Sequence, residues 1–200
     1  MSLPDLDMDR SESVLVRARL GDKLAFNSLV SIWYKRIYNF SYKYFVDHDL
    51  ASEAAQRTFI KVYDSLEQLV DNAKFKSWLY IIALNICREE GRKKSRVTKM
   101  FVVEEEGQEY TKGEHVEPAD KGYEQKELSN MVIEALDMLG EEQKEVILMK
   151  EYEGLKFREI AEVLGVSENT VKSRLYYGLN NMKKLLEKNR AFKESYDYGK

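Results

Sequence analysis

The chain has 200 residues, 44% hydrophobic and 34% charged, with 2 Pro and 1 Cys. That length holds one large domain or two small ones, and a lone cysteine excludes an internal disulfide and points to a reducing cytoplasm. The acidic start MSLPDLDMDRSESVLV has no leader pattern, and no apolar run approaches the roughly 20 residues of a spanning helix, so membrane insertion is not expected. The net charge of −3 conceals two basic stretches: residues 26–100 hold 13 Lys/Arg against 8 Asp/Glu, and 156–200 hold 10 against 6. Between them, residues 101–155 hold 5 against 16. A phosphate backbone responds to the local patch, so nucleic acid stays open as a partner.

Helical punctuation dominates. Ser11 or Ser13 can cap a short helix ending at Gly21, and Asp22 can cap the next. Phe26, Leu29, Val30, Trp33, Tyr34, Ile37, Phe40, Tyr44 and Phe45 then recur at three- and four-residue steps, one wide apolar face. Asp47-His48-Asp49 breaks the pattern, and Asp49 is a candidate cap for a helix whose apolar side is Ala51, Ala55, Phe59, Val62 and Leu66. Asp71-Asn72 marks a turn. From Phe75 a third helix runs through Trp78, Leu79, Ile82, Ala83 and Ile86. No alternating run of strand length competes, so an all-α fold is expected.

Residues 101–127 read as an acidic linker. Nine acids and three lysines, with Gly107, Gly113, Gly122 and Pro118, bury too little surface to offset the entropy of ordering. Beyond it, Leu128, Met131, Val132, Ala135, Leu136 and Leu139 form another helix face, and Glu141 and Glu142 suit the start of the next helix. The chain thus divides into a first module (1–100), a linker (101–127), a second module (128–190) and a tail (191–200).

The sharpest local signal spans Lys156 to Leu175. Ile160, Ala161 and Leu164 face a core, Gly165 permits a tight turn, Ser167 caps the next helix, and Val171 and Leu175 point inward. This is the layout of a helix-turn-helix, with Glu168, Asn169, Lys172, Ser173, Tyr176 and Arg174 left to project. A packed helical hairpin with a solvated face is the plainer alternative. The run Arg92-Lys93-Lys94-Ser95-Arg96, extended by Lys99, exceeds what a helix dipole needs. With Lys74, Lys76, Trp78, Tyr80 and Arg88 it offers phosphate neutralisers and stackable rings suited to single-stranded or opened nucleic acid. Catalytic groups are sparse: His48 and His115 lie far apart, Cys87 sits inside an apolar helix, and no metal-ligand spacing, Walker A or dinucleotide motif occurs. Neither an enzyme nor a cofactor is expected.

In this order the two modules resemble the bacterial RNA polymerase sigma-70 family, and the short chain resembles its extracytoplasmic-function (ECF) group. The resemblance covers roughly residues 12–100 and 128–187. It rests on Leu50-Ala51-Ser52-Glu53-Ala54-Ala55-Gln56-Arg57-Thr58-Phe59 and on Phe75-Lys76-Ser77-Trp78-Leu79-Tyr80-Ile81-Ile82-Ala83-Leu84-Asn85. In the second module it rests on Glu141-Glu142-Gln143, Tyr152-Glu153-Gly154-Leu155, Glu159-Ile160-Ala161 and Thr170-Val171-Lys172-Ser173-Arg174-Leu175. The resemblance implies that the helix carrying Glu53, Gln56 and Phe59 docks on the β′ clamp of core RNA polymerase, with Asp49, Arg57 and Lys61 as neighbours. The β subunit is the other core contact it implies. It implies that the helix from Phe75 recognises and opens the promoter −10 element, through Lys74, Lys76, Trp78, Tyr80, Asn85, Arg88, Arg92 and Lys93. The loop Asp71–Lys74 would capture a non-template base. The second module would read the −35 element through Asn169, Thr170, Lys172, Ser173, Arg174 and Tyr177. The family commonly has arginine where Tyr177 stands, which implies an altered −35 preference. An anti-sigma protein is expected as a further partner by resemblance alone. Two other readings remain: a helix-turn-helix regulator acting without polymerase, and a helical interaction protein.

Overall fold

The computed structural model describes residues 12–102 and 122–188, with side chains for 12–94 and 127–188. Among the described residues every regular element is helical. Helix α1 spans residues 12–19 and ends at Gly21, whose φ of 87° is a conformation that favours a residue without Cβ. Helix α2 (Lys23–Phe45) starts at Asp22, where the Leu24 and Ala25 amides donate to its carboxylate at 2.9 and 3.0 Å. Its core stripe is Ala25, Leu29, Trp33, Ile37, Phe40 and Tyr44. Helix α3 (His48–Ser65) is capped by Asp47, not by the expected Asp49; the Asp49 and Leu50 amides donate to Asp47 at 3.1 Å. The reason is geometric: an N-cap needs extended backbone, which Asp47 has, while Asp49 already lies in the first turn.

A short 3-10 turn (Leu66–Gln68) and a second one (Asn72–Lys74), capped by Asp71, lead into helix α4 (Phe75–Val102). The basic run from Arg92 therefore continues that helix instead of following it. Helices α2, α3 and α4 enclose a core around Leu29, Ile37, Phe40, Leu79 and Leu84, each at most 1% exposed. Burying each such side chain contributes about 1.5–3 kcal/mol.

Helix α5 (Gly122–Asp137) begins six residues before the expected edge of the second module; residues 101–102 of the expected linker end α4, and 103–121 and the tail from 191 lie outside the described residues. Helix α6 (Glu141–Ile147) has Glu141 and Glu142 in its first turn and passes into a π turn (Leu148–Tyr152). Helices α7 (Phe157–Leu164) and α8 (Glu168–Lys188) form the helix-turn-helix. Gly165 ends α7 at φ 68°, and the Thr170 amide donates to Ser167 at 3.1 Å. Helix α8 crosses α6 so closely at Gly178 that a Cβ there would meet Ile147 and Gln143 at 3.0 and 3.1 Å.

Candidate nucleic-acid and polymerase interfaces

Helix α3 buries Ala51, Ala54, Ala55, Thr58, Phe59 and Val62 against α2 and α4. Its outer face keeps Asp49, Glu53, Gln56 and Lys61 exposed. Two of the residues expected near a docking surface are placed differently. Phe59 is 6% exposed and its ring lies 6.0 Å from that of Tyr34, so it anchors the helix. Arg57 turns to α4, pairing with Glu89 at 3.0 Å and with Glu90. The outer face also carries Ile60 and Tyr63, at 62% and 54% exposure, which the sequence reading passed over. The available signal was adjacency: Ile60 follows core-facing Phe59, and one helix cannot turn both inward.

On α4, Trp78, Asn85, Arg88 and Arg92 recur at helical spacing along one face, with Lys74 just before the helix. Asn85 and Arg92 are exposed, and Trp78 is half-buried 6.2 Å from the Phe75 ring. Lys93 points out but binds Glu89 and Glu90 at 2.9 and 3.0 Å. Lys74 reaches Glu162 of α7 at 3.4 Å. Tyr80 is fully buried, so its ring is not available for stacking; its hydroxyl donates to Glu153. Lys76 is half-buried and donates to the Glu153 carbonyl at 2.7 Å, and burial lowers its pKa. Arg88 forms a two-pronged pair with Glu145, both contacts at 2.6 Å, and that pairing raises the guanidinium pKa further. The two modules thus meet through α2 and α4 rather than standing apart, a packing that no local sequence pattern announces.

Helix α8 offers the second surface. Asn169, Lys172, Ser173, Tyr176 and Tyr177 are exposed on it, and the Tyr176 and Tyr177 rings sit edge to face at 5.5 Å. The Lys172 ammonium lies 5.6 Å from the Phe157 ring centroid. Thr170 is half-buried in the cap, 2.9 Å from Ser167. Arg174 faces inward and binds Glu142 at 2.5 Å, so it braces α6. The arrangement presents an exposed polar and aromatic helix, capped at its N-terminus and backed by α6 and α7, of a kind that enters a major groove.

Cys87 and His48, the residues of catalytic type within the first module, are both held in packing contacts. Burial pushes the Cys87 thiol up to about 12 and its sulfur lies 3.6 Å from Ser41, so it carries no thiolate at neutral pH. His48 stacks on Tyr42 at 4.4 Å and meets the Tyr38 hydroxyl at 2.7 Å. Among the described residues no group of three His, Cys, Asp or Glu is placed to hold a metal ion, and no helix is long and apolar enough to cross a membrane.

Comparison with known proteins matches this division. Residues 29–97 match Sigma-70 region 2, and residues 129–182 match Sigma-70, region 4. The chain is 30% identical over 172 residues to the ECF RNA polymerase sigma-E factor of Haemophilus influenzae, covering 82% of this chain and 89% of that protein. It is 31% identical to the ECF RNA polymerase sigma factor SigW of Bacillus subtilis, covering 85% of this chain and 93% of that protein. The solved structure of sigma factor RpoE of Bartonella quintana, in complex with the anti-sigma factor NepR, shares the fold with TM-score 0.66 and 22% identity over 82% of this chain and 98% of that one. CnrH in complex with the cytosolic domain of CnrY also matches at 0.66, with 21% identity over 90% of this chain and 98% of that one. The chain belongs to the sigma-70 family of RNA polymerase sigma factors, in its ECF group. Members of that family are not enzymes.

Proposed function

We propose that this protein binds core RNA polymerase and directs it to selected promoters, with α3 docking on the β′ clamp, α4 contacting the −10 element and α8 reading the −35 element. The observation that carries the reading is the succession of region 2 and region 4 on one chain, each ending in an exposed helix face of the matching kind. On α3 the docking surface is Asp49, Glu53, Gln56, Ile60 and Lys61, exposed on the side away from the core. On α8 the readers are Asn169, Lys172, Ser173 and Tyr177, while Thr170 and Arg174 position the helix. Lys74, Trp78, Asn85, Arg88, Arg92 and Lys93 form the −10 surface, and Lys76 and Tyr80 support it from beneath.

Two weak DNA-binding modules gain effective concentration once one carrier fixes their separation, so neither needs high affinity alone. Opening the duplex costs about 1–2 kcal/mol per base-pair step, and single-strand contacts offset part of it. The site of action is the cytoplasm, and an anti-sigma protein is a partner class supported by the complexes in which the similar folds were solved. The deciding experiment is run-off transcription with purified core polymerase on genomic fragments. Discrete start sites are expected, and they should vanish with Glu53→Lys combined with Gln56→Ala. A chain that never associates with core polymerase yet grips one defined duplex tightly is instead a self-sufficient helix-turn-helix regulator.

A further inference from the structure

Helix α1 ends on a long-range contact. Arg19, in its last turn, reaches across 53 positions and donates from Nη1 to the side-chain oxygen of Asn72 at 2.5 Å. Asn72 opens the 3-10 turn (Asn72–Lys74) that leads into α4, and Asp71 caps that turn by accepting from the Ala73 amide at 2.9 Å. The Arg19 Nε is buried without a hydrogen-bond partner among the described residues. An unsatisfied buried donor costs stability, and folded chains break such rules chiefly at functional sites. Arginine carries donors only, so the amide that it holds must turn its oxygen toward it. The Asn72 Nδ2 is left over: it has no partner among the described residues and is not buried.

We propose that Arg19 is a positioning residue for promoter selection: it locks the Asn72 amide so that its NH2 group meets one unpaired base at the entry to α4, and the base so chosen is cytosine. This rests on the reading of Lys74 and α4 as the −10 surface. An asparagine free to flip presents oxygen or nitrogen in turn and suits any base. Locked, it presents two donor hydrogens. An unpaired base exposes its Watson–Crick edge, where cytosine alone carries two adjacent acceptors, O2 and N3. Thymine sets its N3–H between two acceptors, guanine offers adjacent donors at N1 and N2, and adenine has one acceptor beside a donor. Lys74, at the end of the same turn, supplies charge to the backbone, which carries no choice of base. The amide adds the choice, and Arg19 gives the amide its direction.

The test binds the full-length protein, with and without core RNA polymerase, to a pool of single-stranded DNA oligonucleotides of random sequence, and the bound strands are sequenced. Wild type should enrich cytosine at one position of the bound motif by about fivefold. Arg19→Ala should flatten that position and leave the others as they were, and Arg19→Lys, which still offers a donor, should restore it. Asn72→Asp keeps an acceptor for Arg19 but replaces the NH2 by oxygen, so the preference should switch from cytosine to guanine. Lys23→Ala removes the same charge from an exposed position nearby and should change nothing. If Arg19→Ala loses helicity, Asn72→Asp decides, because the pairing with Arg19 survives in it. A position unmoved by Arg19→Ala, a loss spread equally over all positions, or cytosine still preferred by Asn72→Asp overturns the assignment. Capture of core polymerase is scored separately. A chain that never captures it yet shows the Arg19-dependent position loses the sigma reading and keeps the role of Arg19; a chain that captures it and shows no such position keeps the reading and loses the role.

Discussion

Asp22 shows how one side chain joins two local tasks. It caps α2 and binds Arg17, and its carboxyl is held below the usual aspartate range by the Ala25 amide first and by Arg17 next. A depressed folded-state pKa adds stability above the ordinary aspartate range, and that stability is lost as pH falls through the lower folded value. Asparagine keeps the cap but cannot titrate. Thermal unfolding across an acid series should therefore show wild type and Asp22→Asn converging as pH falls; parallel curves would remove the role. Arg57 and Arg174 teach the opposite lesson. Both look like surface cations in sequence, yet Arg57 binds Glu89 and Glu90 and Arg174 binds Glu142. Partners 32 or 33 residues away are invisible to local pattern.

At the scale of elements, α3 separates a core side from an outer side within two adjacent residues. Phe59 is buried and Ile60 is exposed. Phe59→Ala should cost about 3–5 kcal/mol of stability, since it empties a packed site. Ile60→Ala should stay within about 0.5 kcal/mol in unfolding measurements while weakening capture by immobilised core polymerase. If Ile60→Ala leaves capture unchanged, the outer face of α3 is not the docking surface. Helices α2, α3 and α4 were legible because long apolar stripes at helical period leave no competing structure. Boundaries were less so. Helix α4 runs on to Val102 through a charged stretch without an apolar face to mark it, and α5 starts at Gly122 among residues that read as linker. In both places polar composition masked a helix whose continuation the chain's periodicity does not encode.

For the molecule as a whole, the docked modules make protonation and shape interdependent. Glu145 faces Arg88, Tyr44, Glu141 and Arg174, and Glu153 faces Tyr80, Lys43, Lys76 and Arg36. Desolvation raises both carboxyls despite the cations nearby. The closed form therefore binds more protons than an open one in which these groups meet water. Closure should strengthen as pH falls from neutral toward the ordinary glutamate range. Energy transfer between dyes on cysteines introduced at exposed Asp64 and Lys183, one in each module, should rise over that interval in wild type and stay flat in Glu145→Gln with Glu153→Gln; a flat wild-type profile would deny the coupling.

By itself the sequence determined the all-helical class, the order of the modules, the helix-turn-helix with its Gly165 turn and Ser167 cap, and the family. All of these depend on spacing within a few residues or on motifs in a fixed order. Which cations stay available, which ring is buried and how the modules meet were decided only by tertiary structure. A charge becomes a pair or an open contact through what packs across from it, and residues 57 positions apart, such as Arg88 and Glu145, meet only when the helices between them have folded.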